Sequence, residues 1–436
     1  MKRNLMQLLP AAFLLTVLAA PAPARATNGM YLISYGAETA GRAGANLAVS
    51  DRTLALNFNP AGLAQLQGQH SSVNLSLLAP SLQFENGLNA STDAEDRYFP
   101  LPAFAWVRGG KDTKWSWGVG LVGQGGMGAT FEGLNTPFGT RDETFTEVRF
   151  ATLTPTVAYA FSDDMAVGAS ANLGYADASF RFFPHTSFFN AQDPANSFFG
   201  LDMEQAKGAQ TSLRLGWWWR AHPQLSVGAV YQTRTDSEFE DGDMTVNFSS
   251  HPFLRQKVQY TAKMDGFTFA AQAGLGIAWK PTPKWVLAAD AKRYFWDDAI
   301  DTITVTATQP DTPGAPSQIE VPFVFNWKDQ WVFAVGADYR LNDALTLRAG
   351  YNFGENPVPD NTLTPLFPAT TERHVTVGAG WLRGNKTYDI AIERAFNESR
   401  TNFNTNPQVN PFGPGARVDH EQWTVSLGMS WATDRR

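Results

Sequence analysis

The feature that most constrains this chain is a two-residue alternation repeated along most of its length. Trp423, Val425, Leu427, Met429 and Trp431 alternate with Thr424, Ser426, Gly428 and Ser430. Trp331, Phe333, Val335, Ala337 and Tyr339 alternate with Val332, Ala334, Gly336 and Asp338, and Val375, Val377, Ala379 and Trp381 with Thr376, Gly378 and Gly380. A period of two places successive side chains on opposite faces of a β-strand. One face here is aromatic and aliphatic; the other is small or polar. In a membrane barrel the first face meets lipid and the second lines the interior.

Followed along the chain, the pattern predicts fourteen strands, near residues 70–85, 99–108, 114–131, 148–161, 165–182, 208–221, 225–238, 256–279, 285–307, 324–340, 345–355, 372–383, 386–397 and 419–431. The number is even, as an antiparallel barrel requires. Their connections alternate in length. Short links fall at 109–113, 162–164, 281–284 and 341–343; long ones fall near 132–147, 183–207, 239–255, 308–323, 356–371 and 398–418. Short turns on one side and long loops on the other are the outer-membrane pattern, with the long loops outside the cell. The loop aromatics Phe188, Phe189, Phe198 and Phe199 either pack on one another or form a greasy collecting surface at the external mouth.

The N-terminus fixes the compartment. Lys2 and Arg3 precede the apolar run 11–20, and Ala24-Arg25-Ala26 offers small residues to a signal peptidase. That run is too short to span a bilayer, which takes about 20 residues, so residues 1–26 read as a cleaved export signal with Thr27 as the mature start. No later stretch has the length and apolarity of a membrane helix. Removing Lys2, Arg3 and Arg25 takes the 34 basic residues to 31 against 41 acidic ones, a net charge of −10 that argues against a nucleic-acid partner. The absence of cysteine excludes disulfides and thiolate metal sites. Charged residues make up 17%, well under the roughly 25% of soluble domains; a lipid-facing surface explains the deficit.

Residues 27–69 read poorly as strand and better as short helical turns, kept slim by Gly36, Gly41, Gly44 and several alanines. They are expected to plug the barrel formed by 70–431, with 432–436 a C-terminal tail. Asn59-Pro60-Ala61-Gly62 is a turn by residue type. Six glycines, Gly118, Gly120, Gly123, Gly125, Gly126 and Gly128, crowd the third strand around Gln124. Gly118 to Gly123 formally matches GxGxxG, but no helix follows and the dinucleotide reading fails. Interior glycines instead mark bends or bulges, or make room for a plug.

Phasing the strands turns Asp290, Lys292, Asp338, Arg348, Asp389 and Glu393 inward. The favoured reading is an ion-pair network that fixes barrel and plug; the other is that Lys292 or Arg348 attracts a ligand carboxylate. The six histidines are scattered, with no HExxH, GxSxG or clustered ligand spacing. His374, beside Arg373, reads as a strand-start residue rather than a base. No enzyme and no cofactor are expected.

The chain resembles the FadL family, outer-membrane transporters of long-chain fatty acids and other hydrophobic compounds. The resemblance spans the mature chain. It is carried by Gly41-Arg42-Ala43-Gly44-Ala45 through Asn59-Pro60-Ala61-Gly62-Leu63, by Trp327-Lys328-Asp329-Gln330-Trp331 and Val335 to Arg340, and by Leu347 to Tyr351, Pro357 to Asp360 and Glu372-Arg373-His374. It implies an all-β membrane protein: a 14-stranded antiparallel transmembrane β-barrel closed by an N-terminal hatch. It further implies that Asn59, Pro60, Ala61 and Gly62 act in the hatch. A kink in the third strand, placed here at Gly123, Gln124, Gly125 and Gly126, would open the wall sideways. The tail after Trp431 departs from a family that ends on an aromatic residue. A monomeric outer-membrane channel, surrounded by outer-membrane lipids and passing a fatty acid or other apolar small molecule, is the expectation. An aromatic hydrocarbon by the same route, or a receptor or adhesin acting through its loops, is the alternative. A general water-filled porin is disfavoured by the plug.

Overall fold

The computed structural model describes residues 28–95, 98–110 and 113–433. The export signal, Thr27 and the last three residues of the tail lie outside the described residues, as does part of the 109–113 link. Nineteen strands run through the described chain: β1 Gly68–Glu85, β2 Thr92–Asp93, β3 Phe99–Gly109, β4 Trp115–Asn135, β5 Arg141–Ser162, β6 Met165–Phe188, β7 Phe198–His222, β8 Leu225–Gln232, β9 Asp236–Asn247 and β10 Lys257–Asp265. They continue as β11 Ala271–Thr282, β12 Trp285–Phe295, β13 Thr302–Thr308, β14 Gln318–Val324, β15 Gln330–Arg340, β16 Leu345–Gly354, β17 Arg373–Arg383, β18 Lys386–Asn402 and β19 Ala416–Ala432.

Fourteen of them close a ring in the order β1-β3-β4-β5-β6-β7-β8-β11-β12-β15-β16-β17-β18-β19. Closure comes from β19 pairing antiparallel with β1, from His70 opposite Ala432 to Glu85 opposite Arg417. A closed ring leaves no edge to satisfy in lipid, which is the condition for a sheet to span a bilayer.

The strand count agrees with the alternation, but four strands are shorter than it indicates. The expected strands 225–238, 256–279, 285–307 and 324–340 each break, between β8 and β9, β10 and β11, β12 and β13, and β14 and β15. Their outer halves leave the ring and form a second run of sheet, β7-β9-β10-β13-β14. The breaks carry Phe267, Phe269, Trp296, Phe325 and Trp327, all fully buried. A continuous strand would hold its side chains in fixed alternation; the bends let these aromatics turn inward together. Hydrogen bonds stitch the bends to each other, as Thr235 N to Phe269 O (3.1 Å) and Trp327 N to Ile300 O (3.0 Å). Elsewhere the strands outrun expectation: β4 to β7 extend into the loops near 132–147 and 183–207.

Inside and outside follow the pattern. Trp423, Val425 and Leu427 are exposed while Thr424 and Ser426 are buried. Near the short turns the outward face carries paired aromatics, Trp106 with Trp117, Trp115 with Tyr159 and Trp285 with Tyr339, the girdle of a membrane barrel. The interior is filled by residues 28–67, which contain one helical turn, Ala37–Ala40, and two 3-10 turns, Thr53–Asn57 and Pro60–Gln65. Over the plug, the breaks and loops build an apolar core that includes Phe84, Phe131, Phe182, Phe412 and Leu366. Phe188 and Phe198 both stack on Phe138, and Phe199 packs on Phe248. These loop aromatics therefore pack on one another and on this core; Phe253 and Phe403 are the most exposed of the large apolar side chains.

The phase is open to a direct check. Leu427→Arg places a charge on the lipid face, where it costs ~2–4 kcal/mol at mid-bilayer, so the heat-modifiable barrel should fall sharply in abundance. Leu427→Phe should insert normally. Equal insertion of the two variants would mean the face is assigned wrongly.

Candidate functional site

Ion pairs and backbone bonds hold the plug. Arg42, fully buried, reaches Asp338 at 2.7 Å and Glu38 at 3.3 Å. Arg52 bonds the other Glu38 oxygen at 2.6 Å, and Arg348 bonds Asp389 at 2.7 Å while lying 3.8 Å from Glu38. Asp290 accepts the backbone N–H groups of Asn46 and Leu47 at 2.9 and 3.1 Å, and Lys292 donates to Gly44 O at 2.9 Å. All six inward charges named from the sequence lie inside the barrel, and Lys292 and Arg348 are both engaged with plug or barrel groups. Glu393 alone faces a histidine, at 2.7 Å from His374 Nδ1.

Burial alone would raise the Glu38 carboxyl, but Arg52, Arg348 and Arg42 outweigh it and hold the group well below the usual carboxylate range. A carboxyl depressed on folding stabilises above its unfolded value of 4.5 and loses that contribution as pH falls below it.

The Asn59–Gly62 turn docks the plug against β6 and β7. Asn59 caps the second 3-10 turn by accepting from Ala61 N (3.3 Å), and its Nδ2 donates to Leu47 O (2.7 Å) and Trp217 O (3.1 Å). Pro60 opens that turn, where its missing N–H is no loss. The wall opposite is glycine for a steric reason: a Cβ on Gly168 would sit 2.4 Å from Pro60 C, and one on Gly216 2.2 Å from Asn59 Oδ1.

In β4 the ladder to β5 slips between Gly123 and Gly125, leaving Gln124 as a bulge. Gly125 and Gly126 have φ of 129° and 149°, a backbone that L side chains rarely adopt. Pairing with β3 stops at Ala103 opposite Val122. Above that point β3 reads Phe99-Pro100-Leu101-Pro102, and two prolines spaced by two withdraw N–H donors from the same strand edge. The wall is parted between β3 and β4.

The plug occupies the inner side of this parting. Tyr31 forms an isolated antiparallel bridge with Gly125. Tyr35 Oη donates to Gln124 O at 2.8 Å. The Gln124 and Asn57 amides bond reciprocally at 2.7 and 3.2 Å, and Gln124 Nε2 also reaches Thr152. A cavity of about 930 Å³ runs through the gap. Buried Tyr31 and Phe150 line it, and so do Leu121, Tyr175 and Phe104, which are 56%, 53% and 42% exposed on the outer face. It therefore joins the barrel interior to the lipid side. Gly123, Gly125 and Gly126 line it; Asn59 to Gly62, Lys292 and Arg348 do not.

Two features escaped the sequence reading. Residues 28–33, at the inner mouth, carry no motif. Arg214, buried in β7, bonds Leu56 O, Asn57 Oδ1 and Gln232 beside a void of about 30 Å³. Its signal was present: Leu213, Leu215 and Trp219 point outward, so Arg214 must point in.

The structure is thus that of a plugged fourteen-stranded membrane barrel whose wall is parted between β3 and β4. The chain belongs to the family described as outer membrane protein transport protein (OMPP1/FadL/TodX), whose model matches residues 16–434. It is an outer-membrane protein of a family that transports hydrophobic compounds. Its fold is similar to the crystal structure of the toluene transporter TodX of P. putida, at a TM-score of 0.75 and 18% identity over 92% of this chain and 99% of that one. The Ralstonia pickettii toluene transporter TbuX gives 0.73 and 18% over 93% and 100%. A Pseudomonas aeruginosa FadL homologue gives 0.75 and 16% over 93% and 99%. No curated protein matches the sequence.

Two outcomes follow from this geometry. The protection of amides across residues 37–45, taken relative to intrinsic exchange at each pH, should be high at pH 7 and fall as pH drops below 4.5; protection that stays constant to pH 3 would mean that Glu38 does not hold the plug. Gly126→Ala places a Cβ 1.9 Å from Val148 O at a positive φ, so it should destabilise the barrel by about 1–3 kcal/mol. Gly87→Ala, with nothing within 4 Å, should leave the unfolding midpoint unchanged.

Proposed function

We propose that this protein takes up hydrophobic molecules passively, holding them beside the plug and releasing them sideways into the membrane between β3 and β4. The observation that carries this reading is the cavity lined by both inward and outward residues at the parted wall. Sideways exit spares an acyl chain the transfer into water, which costs ~0.8 kcal/mol per methylene. Its size, about 930 Å³, lies at the upper end for small-molecule sites and suits a long-chain fatty acid, the cargo we favour. In this reading the Asn59–Gly62 turn and the Gln124–Asn57 amide pair set the plug's position, and residues 28–33 must shift for cargo to pass Gly125.

Aromatic hydrocarbons by the same route are the second reading. It is favoured by the engagement of Lys292 and Arg348 in the plug network, since neither reaches the cavity to meet a carboxylate and a hydrocarbon needs none.

Gly123→Trp tests the route. A Cβ at Gly123 stands 3.3 Å from Pro102 O and 3.5 Å from Leu101, so the facing strand must give by a few tenths of an ångström, and the indole then crowds the gap. Uptake of a labelled long-chain fatty acid and of toluene, measured in cells with matched surface amounts, should both fall at least tenfold. Wild-type uptake of both would remove the lateral route. Loss of one alone would identify the cargo.

A further inference from the structure

The inner end of the cavity holds two buried imidazoles that hydrophobic passage does not use. His374, on β17, is fully buried, and His420, on β19, is 8% exposed. Each ring has one nitrogen engaged: His374 Nδ1 lies 2.7 Å from Glu393 Oε1, and His420 Nδ1 lies 2.8 Å from Pro368 O. A carbonyl oxygen only accepts, so His420 Nδ1 carries the hydrogen, and in the neutral ring Nε2 is a bare lone pair. The Glu393 carboxylate places the hydrogen on His374 Nδ1 in the same way. Both Nε2 atoms are buried without a hydrogen-bond partner, and both residues line the cavity. Buried polar atoms left unpaired are few in folded proteins, and each calls for a reason. Leu82 faces His420 across the β1–β19 ladder, and Leu78, Phe99 and Ala369 line the same cavity, together with the polar Glu393 and Gln422.

We propose that His374 and His420 form a head-group subsite that accepts the hydrogen of a hydroxyl on an otherwise apolar molecule, an alcohol or a phenol. A hydroxyl carries a single hydrogen, which either of the two Nε2 atoms can accept. A fatty acid meets them only as its undissociated carboxyl, whose O–H donates as an alcohol's does; its anion and a plain hydrocarbon leave both nitrogens unpaired. The inference rests on the cavity being the transport site and narrows what that site prefers.

The test compares two probes of equal chain length, 1-dodecanol and dodecyl methyl ether, since only the first donates a hydrogen. Radiolabelled probe is partitioned between nanodiscs carrying the full-length protein and empty nanodiscs. The wild type should hold the alcohol on the order of tenfold more tightly than the ether. The ratio should fall in His374→Phe and in His420→Phe and reach about one when both are replaced, and His420→Gln, whose amide oxygen still accepts, should keep part of it. A wild-type ratio of one overturns the subsite, the nitrogens then being satisfied by water alone, and so does a preference that survives replacement of both histidines. If a phenylalanine variant does not insert, the wild-type ratio and that of His420→Gln decide. Ether retained without preference leaves the transport cavity standing; if neither probe exceeds the empty nanodiscs, cavity and subsite fall together.

Discussion

A parted strand pair inside a membrane must find partners for its free N–H and C=O groups, because lipid supplies none and each unsatisfied group costs several kcal/mol. This requirement governs the arrangement around β4. The wall opens where β3 and β4 stop pairing, and the plug takes up part of the bonding that the ladder gives up. Tyr31 bridges Gly125, Tyr35 bonds the Gln124 carbonyl, and the Gln124 side chain is held by Asn57 and Thr152. The opening and the plug are thus one device. The plug is a bonding partner of the gap as well as an obstruction behind it.

The same logic explains why the plug is fixed by charge as well as by packing. Leu54, Leu56, Phe58 and Leu63 pack the plug against β3 and β4, while on the side of the small residues Gly41 to Ala45 the buried Glu38, Arg42 and Arg348 cluster and the Asp290–Lys292 pair set its position. A buried charge left without its partner costs about 3–5 kcal/mol, which penalises any plug placement that separates the cluster. Asn57 links this anchored body to the kink, two residues before the Asn59 cap that docks on β6 and β7.

Much of this was legible in the sequence. The period-two alternation fixes the ring of fourteen strands and their inside-outside phase, because a charge on the lipid face is expensive. The glycines at 125 and 126 mark the place where the β4 ladder is irregular, and the inward phase of the charges implies partners inside the barrel. The broken outer strands were not legible, because alternation persists through β8 to β15 and the bends carry aromatics from three distant segments that pack into one core. The role of residues 28–33 was hidden for a related reason: Tyr31 acts through its backbone bridge to Gly125, which leaves no side-chain signature. His374 read as a strand-start residue, and only the three-dimensional placement sets it and His420 against one cavity.

The account stands on cargo crossing the wall between β3 and β4. The most direct measurement is anomalous X-ray diffraction from crystals grown with a terminally brominated long-chain fatty acid. The account predicts bromine density in the cavity beside Gly126 and Phe99, with the chain running outward past Leu121. Bromine found only along the barrel axis, beyond the Asn59–Gly62 turn and with the gap empty, would contradict it.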